Sequence, residues 1–83
     1  LEQNYPNPFN PATTIKYQLP YDSRVSITIF NAIGEKVTEL INDLQTAGSY
    51  SQVWNASQFA SGVYFYQLHS GNFVETKKMV LMK

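Results

Sequence analysis

Hydrophobic and polar residues alternate with a period of two along most of this chain. In TTIKYQL, Ile15, Tyr17 and Leu19 are separated by Lys16 and Gln18, and in RVSITIF, Val25, Ile27 and Ile29 are separated by Ser26 and Thr28. Successive side chains of a strand point to opposite faces, so both segments predict half-buried strands with their aliphatic positions inward. PYDS separates them: Pro20 ends the first strand, and Asp22 and Ser23 are placed to bond the local backbone of the turn.

NAIGEK predicts a hairpin with Gly34 at positive φ, which puts Phe30 and Val37 on its two strands. EKVTELI gives a mixed signal. Its residues favour helix and Leu40 breaks the alternation begun by Val37, but seven residues make a poor helix, and such a break suits a bulged strand. TAGSY then turns into SYSQVWN, where Tyr50 and Trp54 share a face and Trp54 is assigned to the core as the largest apolar group available.

ASQFASG spans a tight crossover into GVYFYQLHS, which is apolar on both faces as a central strand covered on each side would be. SGN at 70–72 is a short hairpin signal, and FVETKKMVLMK closes the chain. The reading is all-β without substantial helix: an antiparallel, immunoglobulin-like sandwich of six strands, or seven if the opening arm counts. Tyr64 and Tyr66 are assigned to the core rather than to an exposed sugar- or base-stacking platform, because aromatic burial dominates so thin a core. Phe65, on the opposite face, is left open.

The first eleven residues, LEQNYPNPFNP, hold three prolines, which fix φ, remove N–H donors and push Tyr5, Asn7 and Asn10 into extended geometry. Residues 1–12 therefore read as a stiff arm and 13–83 as the sandwich, together one domain, 1–83. A chain of this length buries only about 60–65% of its unfolded surface, which leaves little room for a catalytic pocket. As Leu1 is not a start methionine, the chain is taken as a piece of a longer protein.

Charge and composition exclude several function classes. Six basic residues balance six acidic ones, so no broad field favours nucleic acid or an anionic membrane. The longest apolar run, Met79 to Met82, is far short of the roughly 18 residues that a membrane span needs, and no signal peptide opens the chain. With no cysteine, disulfides and thiolate sites are out. His69 is the one histidine, and the carboxylates Glu2, Asp22, Glu35, Glu39, Asp43 and Glu75 have no ligand spacing, so neither a metal site nor an acid–base pair is expected. The glycines at 34, 48, 62 and 71 stand singly in turns rather than in a phosphate-cradling run, and NAS at 55–57 is a glycosylation sequon of the kind that arises by chance.

QNYPNPFNPATTIKYQLP, AGSYSQVWNAS, and SGVYFYQL followed by GNFVETKKMVLMK together resemble, in order and over essentially the whole chain, the type A C-terminal sorting domain of the type IX secretion system. The family's opening motif falls on Asn4, Tyr5, Pro6, Asn7, Pro8, Phe9, Asn10 and Pro11; its middle motif on Gly48, Tyr50 and Trp54; its closing motif on Gly62, Tyr64, Lys78 and Lys83. Asn55 departs from it, standing where the family often has aspartate. The family is similar in fold to the immunoglobulin-like domain of a flagellar hook-capping protein. Lys83 at the end of the chain fits a domain that must sit at the true C-terminus.

The resemblance implies a sorting signal that is neither an enzyme nor a cofactor binder. Its implied partners are the outer-membrane translocation machinery, a surface sortase that removes the domain, and a cargo fused at the N-terminal side that crosses the periplasm and ends secreted or at the cell surface. Recognition is assigned to the closing strand, Lys77, Lys78, Met79, Val80, Leu81, Met82 and Lys83. The competing role for that strand is a lysine-protected sheet edge. Phe9 and Pro11 are read as structural, while the exposed amides of the arm stay open. Two other functions remain in play: a carbohydrate-binding or adhesive module, which needs exposed aromatics in a row, and a purely structural spacer.

Overall fold

The structure, a computed structural model describing residues 1–83, contains strands and no helix. The strands are β1 (Ala12–Leu19), β2 (Ser23–Asn31), β3 (Lys36–Gln45), β4 (Gly48–Asn55), β5 (Gly62–Ser70) and β6 (Phe73–Leu81). All pairings are antiparallel, in a two-stranded sheet β1-β4 and a four-stranded sheet β3-β2-β5-β6. This is the antiparallel sandwich expected, with six strands. The arm makes isolated bridges only, so it is not a seventh.

The period-two positions form the core. Ile15, Tyr17 and Leu19 from β1, Val25, Ile27 and Ile29 from β2, Tyr64, Tyr66 and Leu68 from β5, and Met79 and Leu81 from β6 are all buried. Trp54 of β4, 3% exposed, lies in the same cluster, and Tyr50 stacks on Tyr17 with ring centroids 5.6 Å apart. The Tyr17 hydroxyl donates to Gln45 Oε1 at 2.7 Å, so the buried phenol keeps a partner.

The ambiguous segment EKVTELI is a doubly bulged strand. Opposite β2, Ile27 pairs with Ile41 but Thr28 with Glu39, leaving Leu40 extra; Ile29 pairs with Thr38 but Phe30 with Lys36, leaving Val37 extra. Each extra residue resets the alternation. Val37, Leu40 and Ile41 therefore all pack against the core, which a regular strand would forbid. Gly34 turns the β2–β3 hairpin at φ 86°, and Asn31 Oδ1 accepts from the amides of Ile33 and Glu35.

Two local readings differ from the structure. Strand β5 is central in its sheet, yet only one of its faces is covered: Val63, Phe65 and Gln67 on the outer side are half-buried. Its apolar outer face reflects neighbouring strands rather than a third layer. Asp22 and Ser23 were expected to bond the local backbone; instead Asp22 Oδ1 accepts from Ala47 N at 2.8 Å and Ser23 Oγ meets Ser70 Oγ at 2.6 Å. The turn side chains thus tie separate loops together.

Candidate functional site

The arm lies along the open seam between the two sheets and serves the free edge of each. Its first part pairs with β1: Glu2 N donates to Lys16 O at 2.9 Å, Tyr5 N to Thr14 O at 3.0 Å, and Thr14 N back to Tyr5 O at 2.9 Å. Its second part pairs with β6: Phe9 N donates to Val80 O at 3.0 Å and Met82 N to Phe9 O at 3.0 Å, a parallel bridge. Two side chains extend that edge, as Asn7 Oδ1 accepts from Val80 N at 3.0 Å and Gln3 Nε2 donates to Lys78 O at 2.8 Å. Prolines cannot supply a full ladder because they lack N–H groups, so amides fill in.

Packing anchors the arm as firmly as its backbone bonds do. Phe9 is 2% exposed and meets Trp54 at 5.8 Å, and Trp54 in turn meets Phe59 at 5.4 Å and Tyr64 at 5.3 Å. Tyr64 caps the crossover by donating to Ala60 O at 2.6 Å, and Ala56 N donates to Pro11 O at 2.8 Å where the arm enters β1. Asn4 is buried and donates to Thr13 Oγ1 at 3.0 Å and Pro6 O at 3.2 Å. Tyr5, 80% exposed, and Pro6, Pro8 and Asn10 face solvent. Gly48 and Gly62 open β4 and β5, at the turn and the crossover.

The seven residues of the closing segment divide by face. Met79 and Leu81 point into the core; Lys78, Met82 and Lys83 are exposed; Lys77 and Val80 are half-buried. Lys77 pairs with Glu75 at 3.7 Å. Lys83 Nζ donates to Ser57 O at 2.7 Å, while Lys78 has no ion pair. Side chains available to a partner are therefore Lys78, Val80, Met82 and Lys83.

The sequence placed Tyr66 in the core but gave it no role toward the arm, and it did not single out Gln3. The Tyr66 hydroxyl, buried beneath the arm, accepts from Asn4 N at 2.8 Å and donates to Glu2 O at 2.8 Å. One signal was available: a core tyrosine needs a polar partner, and the only extended segment outside a strand is the arm. Burial pushes the Tyr66 phenol above its ordinary range. The neutral phenol is the form that folding favours, so its contribution is complete below the unfolded value near 10 and falls as pH rises through the higher folded value.

Tyr66→Phe should cost about 1–3 kcal/mol, since it strands the buried Asn4 amide without an acceptor. Hydrogen exchange should locate the change: the Asn4 and Tyr5 amides should lose protection while those of β2 keep theirs. Uniform loss across the domain would contradict a local role.

Other chemistry is sparse. No three metal-ligating side chains cluster, and exposed His69 meets Gln67 Oε1 at 3.0 Å. The largest cleft, about 300 Å³, is lined by Asp22, Ser23, Leu44, Gln45 and Thr46, which include no acid–base pair. The exposed aromatics form no row: Tyr5 stands on the arm, whereas Tyr21 and Phe73 share a cleft with Leu1, Gln18 and Pro20. A family model described as the secretion system C-terminal sorting domain matches residues 3–82. Comparison with curated proteins and with solved structures gives no match.

Proposed function

The chain belongs to the secretion system C-terminal sorting domain family, that of type IX secretion, and on that footing we propose that it carries a larger protein fused to its N-terminal side across the outer membrane. The fused protein first crosses the inner membrane by an N-terminal signal peptide, and its cargo folds in the periplasm. The export machinery then reads this domain, and a surface sortase removes it, so that the cargo ends secreted or at the cell surface. The domain contributes binding and no catalysis.

One observation carries the reading. The closing strand, which a sorting signal at the C-terminus would present, is held on both edges, by β5 on one side and by the arm on the other. Lys78, Val80, Met82 and Lys83 are thereby fixed in place before any partner arrives, which lowers the entropy lost on binding. The arm and the closing strand thus meet in one structure although they stand at opposite ends of the sequence: Asn7 meets Val80, 73 residues on, and Phe9 meets Val80 and Met82.

The test is a fusion of an N-terminal signal peptide, a fluorescent reporter and residues 1–83 in a bacterium with type IX machinery. The reporter should reach the surface or medium, shortened by the mass of the domain where the sortase acts. Without residues 77–83 it should stay in the periplasm. Equal export of the two fusions, both intact, would remove the sorting reading.

A further inference from the structure

Strand β6 offers a partner two approaches, along its edge or onto its outer face. The edge is the usual route when an extended segment adds to a sheet. Here it is taken between Lys78 and Met82. Backbone groups of a strand point alternately to its two neighbours, and those of Lys78, Val80 and Met82 point away from β5. They meet Gln3 Nε2, Asn7 Oδ1 and both backbone groups of Phe9. A strand arriving there would have to draw Phe9 out of the core, off Trp54, and would reopen the seam that the arm closes.

The outer face is free. Lys78 lies across from Phe65 and Val80 across from Val63, and Phe65 continues the row to Phe30 on β2. With exposed Met82, these side chains form a patch in which a cation stands beside apolar groups. Side-chain charge around it is one-sided. Lys78 has no carboxylate within ion-pair distance, and the Lys83 ammonium at the strand's end donates to the Ser57 carbonyl. Glu75, the one side-chain carboxylate on β6, is on the inner side with Lys77. Glu35 and Glu39 lie beyond β2, Glu35 held by Asn31 and Glu39 by Lys36.

Building on the sorting reading, we infer that the export partner docks face-on over Lys78, Val80 and Met82 of β6 and Val63 and Phe65 of β5, leaving the arm seated. The matching surface is protein, with carboxylates set beside apolar side chains to meet Lys78 and Lys83. The arm is then part of the signal without being touched: it blocks the edge and so selects the face.

Two variants of the full reporter fusion test this. Lys78→Glu with Lys83→Glu should lower the exported fraction at least roughly ten-fold, since like charges then face each other across the interface. The melting temperature should hold within about 2 °C, as these are surface positions, and Lys16→Glu on the other sheet should export normally. In the second variant, Tyr5→Cys with Thr14→Cys, two bridged residues away from the docking face, ties the arm down, and export should be equal with the disulfide formed and with it reduced. Three results overturn the proposal: normal export of the double charge reversal, export lost only when the arm is tied, which is strand addition, or a dimer of the parent fusion that the charge reversal dissolves, which is self-association. If the parent fusion itself stays inside, the sorting reading fails and takes this one with it, whereas the three results above overturn face-on docking alone.

Discussion

Trp54→Ala should lower the unfolding free energy by about 3–5 kcal/mol, out of a total of roughly 4–12 kcal/mol for a domain of this size. Trp54 is the hub where three parts of the molecule meet: Phe9 from the arm at 5.8 Å, Phe59 from the crossover at 5.4 Å and Tyr64 from β5 at 5.3 Å. Alanine leaves a cavity that none of these can fill without moving, because Phe9 is held by its bonds to β6 and Tyr64 by its bond to Ala60. Urea unfolding followed by circular dichroism gives the number, and Trp54→Phe should recover a large part of it. A loss below about 1 kcal/mol for the alanine variant would mean that the indole is not the hub described here.

The sandwich was legible because its strands obey one rule. Ile15, Tyr17, Leu19, Val25, Ile27 and Ile29 all lie inward where period two places them. The rule weakens where strands bulge: Val37 and Leu40 leave the ladder, so their segment looked half-helical until its pairing with β2 was known. It fails for GVYFYQL, whose outer face is apolar through cross-strand contacts with Phe30 and Val80 that no local pattern reveals. The arm was harder still. Its rigidity follows from its prolines, but its place at the seam depends on amides and on a tyrosine hydroxyl 62 residues away, and hydrogen bonds over such distances leave no periodic trace.

The candidate site was legible in part for a related reason. Motif spacing marked both ends of the chain, yet the ends looked like separate features, one structural and one for recognition. Their contact makes them one object. Strand alternation also divides the closing segment in a way that a run of residues hides: Met79 and Leu81 belong to the core, and Lys78, Val80 and Met82 to the surface.

Removal of residues 77–83 should leave a chain with no cooperative unfolding transition. The cut takes two buried side chains, Met79 and Leu81, each worth about 2–5 kcal/mol when truncated in place, and together these approach the whole stability available. It also strips β5 of its partner from Gly62 to Tyr66 and deprives Phe9, Asn7 and Gln3 of the strand that they hold. With the arm adrift, Trp54 loses Phe9 as well. Calorimetry and near-ultraviolet circular dichroism should show a broad, featureless melt and little fixed aromatic environment, whereas a sharp transition close to that of the full chain would refute the structural role of β6. Loss of export on truncation consequently has two causes, an absent docking face and an unfolded domain, and truncation cannot tell them apart. The charge reversal at Lys78 and Lys83 can, because it leaves Met79, Leu81 and Phe9 in place and, apart from the exposed Lys83–Ser57 bond, changes only what the partner meets.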